Sequence, residues 1–171
     1  MTARDRKIHG PPKGSPWVWL PTELLNHLAW RSLSLNARKI IDFLLIEHRH
    51  HGGRENGNLA APYNQLERFG VSRRLIRASF LELEAAGLVR MTRQGGKYAG
   101  GRETSTYRLT FYAAHDNVSP TSEWRRSDGA KVKAARKDAA ENKSRASENR
   151  RGRRANPDLE CTMVNLESAP S

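Results

Sequence analysis

Apolar residues recur at helical spacing in the first half of the chain and alternate in the second, and glycines and prolines mark the breaks. Residues 7–16 are rich in Pro, Gly and Lys and hold no regular element, so the pattern begins at Trp17-Val18-Trp19-Leu20. Thr22, after Pro21, is placed to cap a helix whose buried face is Leu24, Leu25, Leu28 and Ala29, with Trp30 close behind. Trp17, Trp19 and Trp30 read as core or helix-packing residues. Ser34 caps a second helix with Leu35, Ile40, Ile41, Leu44 and Leu45 on its apolar side, and Gly52-Gly53 stops it. A short strand over 58–61 follows, then Pro62 and a brief helix from Tyr63 to Phe69. Phe69-Gly70-Val71-Ser72 supplies a residue free to take positive φ, an apolar plug and a hydroxyl cap. Behind it, Ile76, Phe80 and Leu83 form the stripe of a helix over 72–86, flanked by Leu75 and Ser79 and ended by Gly87. Leu88 to Arg93 and Thr104 to Phe111, with Tyr107, Leu109 and Phe111 inward, pair as an antiparallel hairpin whose loop is 94–103.

The pattern then lapses. Residues 116–155 contain Val118 and Val132 as almost their only aliphatics and are rich in Ser, Ala, Asn, Lys and Arg, a composition expected to be disordered, with transient helix at most around 129–142. Arg150, Arg151, Arg153 and Arg154 form a basic run suited to phosphates without sequence readout. Leu159, Met163, Val164 and Leu166, among acids, are irregularly spaced but offer a short docking motif, through which the tail would engage a replication or transcription protein. The expected organisation is α+β, with a flexible segment 1–15, one domain over 16–113 and a largely disordered tail over 114–171.

Charge along helix 72–86 is unusual. Arg73 and Arg74 occupy its first turn, where the helix dipole favours acids, and Arg77 lies one turn on, mostly off the apolar stripe. Glu82 and Glu84 sit near the opposite end, again with the disfavoured sign. Several local violations on one helix point to a site. A polyanion at the helix front would relieve the arginine part.

Composition agrees with that partner class. The formal charge is +12 and the basic excess is shared between 16–115 and 125–154, the footprint of a nucleic-acid surface. No segment approaches the roughly 20 apolar residues of a membrane span, and the hydrophilic start lacks a signal-peptide core, so a cytoplasmic protein is expected. Cys161 is the single cysteine, which leaves no disulfide framework or zinc-cysteine set. Glu47, His48, His50 and His51 are the one metal-like cluster, but histidines at a helix C-terminus are explained by the dipole and nothing nearby completes a four-ligand set. The glycine-rich 95–102 loop is not a phosphate loop, because a strand rather than a helix follows it. No carboxylate pair or nucleophile constellation stands out, so neither an enzyme nor a cofactor is expected.

Tyr63-x-x-Leu66, Gly70-Val71-Ser72-Arg73 and Leu83-Glu84-Ala85-Ala86-Gly87-Leu88-Val89 together resemble winged helix-turn-helix DNA-binding domains. The longer run from Trp17 to Arg38 looks like small winged-helix proteins carried by bacterial phages, plasmids and integrated elements, some replication-associated. The resemblance covers about residues 17–112. It implies a helix in the major groove, with Ser72, Arg73, Arg74 and Arg77 on it and Lys97 and Arg102 on the wing; Arg93 adds charge at the wing base. The chain is also similar to the DNA-binding half of GntR-type regulators, yet nothing downstream has the length or pattern of their effector domain. The expected function is double-stranded DNA binding by a monomer or weak homodimer, nucleoid-associated, in transcription regulation or mobile-element replication. RNA or protein binding through the arginine-rich tail is the alternative.

Overall fold

A computed structural model of the chain describes residues 16–98, 101–115, 118–138 and 141. They form an α+β body in which helices pack on a three-stranded antiparallel sheet. Among the described residues no helix is long and apolar enough to cross a membrane.

The expected first helix is two short ones, α1 (Thr22–Asn26) and α2 (Leu28–Arg31). The break is at His27, which is extended and whose Nδ1 accepts from the Ala29 amide at 3.1 Å, while its ring stands edge-on to Trp124 at 5.1 Å. The break resets the helical phase, so each piece sends one residue fully inward, Leu24 and Ala29. Leu25 and Leu28, expected in the buried face, are exposed. Helix α3 (Leu35–His50) starts as its sequence requires, with Ser34 Oγ accepting from the Ala37 amide at 3.3 Å, and it buries Ile40, Ile41, Leu44 and Leu45. Leu35 does not join them. As the first helical residue it lies outside the core-facing turns and is exposed.

Strand β1 (Leu59–Ala60) and helix α4 (Tyr63–Arg68), entered through extended Pro62, lead to α5 (Ile76–Ala85). Strands β2 (Val89–Arg93) and β5 (Thr106–Leu109) follow α5, and the order in the sheet is β1-β5-β2. Ile76, Phe80 and Leu83 are buried, as are Tyr107, Leu109 and Phe111. Phe80 stacks on Tyr107 with ring centroids 4.1 Å apart and planes within 8°. That closure holds α5 on the sheet, and burial pushes the Tyr107 phenol up to about 12.

The domain does not end at 113. Ser122 donates its amide to Thr110 O at 2.9 Å, a 3-10 turn follows at Glu123–Arg126, and helical backbone, here α6, runs through 129–138. Trp124 is 1% exposed and Val132 is 0% exposed, so this segment supplies part of the core that the sequence assigns wholly to residues 16–113. Gly129 lies directly against Leu28, where a β-carbon would come within 2.4 Å of Leu28 Cδ2. Residues 1–15 and the last thirty, with Arg150, Arg151, Arg153 and Arg154, lie outside the described residues.

Candidate nucleic-acid interface

The front of α5 is built from the turn that precedes it. Helix α4 ends when Gly70 takes φ 91°, which lets Val71 donate to Leu66 O at 2.9 Å and Gly70 to Glu67 O at 3.0 Å. This is a Schellman-type closure, and only glycine adopts it without strain. Val71 then fills the expected plug position, 1% exposed. Two α3 side chains hold the turn from the other side. Lys39 Nζ donates to Gly70 O at 2.7 Å, and Asn36 Oδ1 accepts from the Ser72 amide at 3.2 Å. In the sequence only their i, i+3 spacing on the polar side of α3 marks the two as a pair.

Ser72 does not cap the helix. The chain enters through a 3-10 turn, Arg73–Leu75, in which the Leu75 amide bonds the Ser72 carbonyl at 2.8 Å, and the α-helix begins three residues later than expected. A tighter entry leaves the Ser72 side chain without a cap bond and places Arg73 and Arg74 on the turn itself. Ser72, Arg73, Arg74 and Arg77 are all exposed. Arg73 pairs with Glu67 at 3.0 Å on the surface. Among the described residues the Arg74 and Arg77 side chains make no hydrogen bond or ion pair. Leu81, one turn beyond Arg77, is the apolar member of the same outward face, 44% exposed.

At the rear of α5 the acids have partners. Glu82 is 3% exposed, and its two carboxylate oxygens accept from the Ser34 amide and the Ser34 hydroxyl, each at 2.7 Å. Arg136 of α6 adds an ion pair at 3.6 Å. A carboxylate that is misplaced for its own helix thus sits at the positive end of α3, where the dipole favours it. Glu84 Oε1 accepts from the Met91 amide at 3.1 Å and covers a strand N–H. The helix closes at Gly87, with φ 67° and the Leu88 amide bonded to Leu83 O at 3.0 Å. A β-carbon there would also lie 2.8 Å from the Glu123 backbone, so the 122–126 segment can approach only a glycine.

The 94–103 loop is not irregular throughout. A bulge between Met91 and Arg93 interrupts the main ladder before its last pair, Arg93 with Thr106, and β3 (Lys97–Tyr98) pairs with β4 (Gly101–Arg102) as a hairpin extension. Gly95 allows the two arms to cross closely, since a β-carbon would meet Glu103 O and Ser105 N at 2.5 Å. Arg93 stands 3.8 Å from Glu103 on the exposed surface. Lys97 and Arg102 are cross-strand backbone partners, and their side chains lie outside the described residues.

The histidine cluster is separated by its helix. His51 Nε2 is 3.2 Å from Glu47, whereas His48 is buried against Tyr112, and burial lowers its pKa. Among the described residues no group of three His, Cys, Asp or Glu side chains is placed to hold a metal ion. No protein-family model matches the chain, and no curated protein and no solved structure is significantly similar to it.

Proposed function

We propose that this α+β body is a winged helix-turn-helix domain that binds double-stranded DNA by setting the outward face of α5 into the major groove, with the β3–β4 hairpin alongside. The observation that carries the reading is the state of Arg74 and Arg77. They stand exposed and unpaired at the positive end of α5, while the acids of the same helix are bonded to the protein's own groups. Cations held in that position are destabilising for the helix alone and become favourable when phosphates or guanine edges approach. The turn beneath them is fixed by Lys39 and Asn36, so the arginines are presented on a rigid element.

Fluorescence anisotropy with duplex DNA tests this. Replacing Arg74 and Arg77 by Ala is expected to lower duplex affinity by about 10-fold or more. The melting temperature should not fall. A loss of stability with affinity intact, or a structured RNA competing better than duplex at equal salt, would overturn the reading. If around six basic residues neutralise phosphates, log affinity falls against log salt with a slope of about −5. Selection of preferred sites from random duplexes then separates the finer roles. A palindrome with half-sites about 10 base pairs apart supports a dimeric regulator of transcription, and repeated asymmetric sites support a replication-associated factor.

A further inference from the structure

The chain leaves two neighbouring tryptophans half-exposed, and Trp19 lies by the end of α3 remote from the turn. Trp17 and Trp19, expected in the core or in helix packing, are 55% and 54% exposed. Tryptophan offers one of the largest apolar gains of any side chain on burial, and the same domain fully encloses Trp124. The segment carrying the two rings is nevertheless anchored. Tyr112 Oη accepts the Trp19 amide at 3.0 Å and donates to the Trp19 carbonyl, so one hydroxyl holds both polar groups of that residue. The Tyr112 ring lies 6.4 Å from the Trp19 ring and 4.8 Å from the His48 ring, which continues the ledge onto the last turn of α3.

Basic residues adjoin this ledge, next in the chain to His48 and Gly53. Gly53 lies against the His48 ring, its β-carbon position 3.7 Å from Nε2, and the helix end and turn around it expose Arg49, His50 and Arg54. Among the described residues these three side chains make no hydrogen bond or ion pair, whereas the acids beside them are engaged, Glu47 with His51 at 3.2 Å and Glu55 with Asn58 at 3.1 Å. Half-exposed indoles on a segment tied to the body at Trp19, with free guanidinium groups at the neighbouring helix end and turn, match the requirements of a single-stranded nucleic acid. Each base has a π-face that stacks on an aromatic ring, and the intervening phosphates need cations. A peptide helix would need an aliphatic groove.

We propose that Trp17 and Trp19, with Arg49 and Arg54, form a binding surface for single-stranded DNA. The surface is separate from the front of α5. Asn36, which holds the turn, and His48, which joins the ledge, are twelve residues apart on α3, about 18 Å along its axis. The inference does not depend on the duplex-binding reading, and the two fail in different measurements.

The test uses the full chain and an oligothymidine of about 12 nucleotides, which forms no duplex with itself. It should quench tryptophan fluorescence and bind with an affinity that the pair Trp17→Leu and Trp19→Leu reduces about 10-fold or more. Duplex affinity should be unchanged in that variant, and the Arg74→Ala, Arg77→Ala variant should show the reverse. Leucine retains apolar bulk, so a surface made for an amphipathic peptide helix would tolerate it and a stacking surface would not. If the leucine variant melts early, Arg49→Ala with Arg54→Ala removes only exposed cations and should weaken oligothymidine binding by the same route. Undiminished oligothymidine binding in these variants overturns the proposal. So does the absence of quenching, or a parallel loss of duplex affinity.

Discussion

The two ends of α5 carry charge of the sign that the helix dipole disfavours, and they resolve it in opposite ways. At the rear, Glu82 is withdrawn from its own dipole and placed on the amide and hydroxyl of Ser34, the N-cap of α3, while Glu84 covers the Met91 amide. At the front, Arg73 has an exposed partner in Glu67 and Arg74 and Arg77 have none among the described residues. The same violation of a local rule therefore has two meanings. A tertiary contact has absorbed the acids, and nothing within the described protein has absorbed two of the arginines. In sequence the helix looks polarised, acidic end away from a ligand. In three dimensions its rear is structural and only its front is available.

The largest test of the difference is at the rear. Trp124 packs beside the end of α5 and is enclosed, so Trp124→Ala should cost about 3–5 kcal/mol in denaturant unfolding. A chain cut at residue 113 loses Val132 as well and should be destabilised more. A stable truncated domain would return the boundary to 113 and leave the rear of α5 open. Next in size is Glu82→Ala, which leaves the Ser34 amide and hydroxyl without their acceptor and should cost about 2–4 kcal/mol. A loss well below 1 kcal/mol would mean that Glu82 is as uncommitted as Arg74, and the contrast would fail.

These two residues also mark the limit of the sequence. Periodicity located α3, the α4–α5 turn, the Ile76, Phe80 and Leu83 stripe and the alternation in β5, because each is a local pattern repeated over several residues. Trp124 and Val132 are isolated apolar residues in a polar stretch, and their burial depends on where the chain returns, which no local period encodes. The same reason hides the Glu82 contact, since its partner is 48 residues away. The break at His27 has no local signal either, since the imidazole that caps α2 lies against Trp124, nearly a hundred residues away in sequence. Of the candidate site, the sequence identified the exposed arginines of α5 but not the side chains beneath the turn, because Asn36 and Lys39 act on backbone groups more than thirty residues away.

The smallest effect on stability belongs to the front, and it separates Arg73 from Arg74. Arg73→Ala removes an exposed ion pair and also a cation from the positive end of the helix, so the two contributions oppose each other. Arg74→Ala removes only the unfavourable cation, and the domain should melt at the same temperature or slightly higher, a gain of a few tenths of a kcal/mol at most. That gain should shrink as salt is added, because the charge is exposed, whereas the cost of Glu82→Ala should hardly change, because the contact is buried. Thermal melts of both variants at low and high salt check this directly. A destabilised Arg74→Ala protein would show that the arginine has a structural partner, and the front of α5 would lose its claim to be the end left free for a ligand.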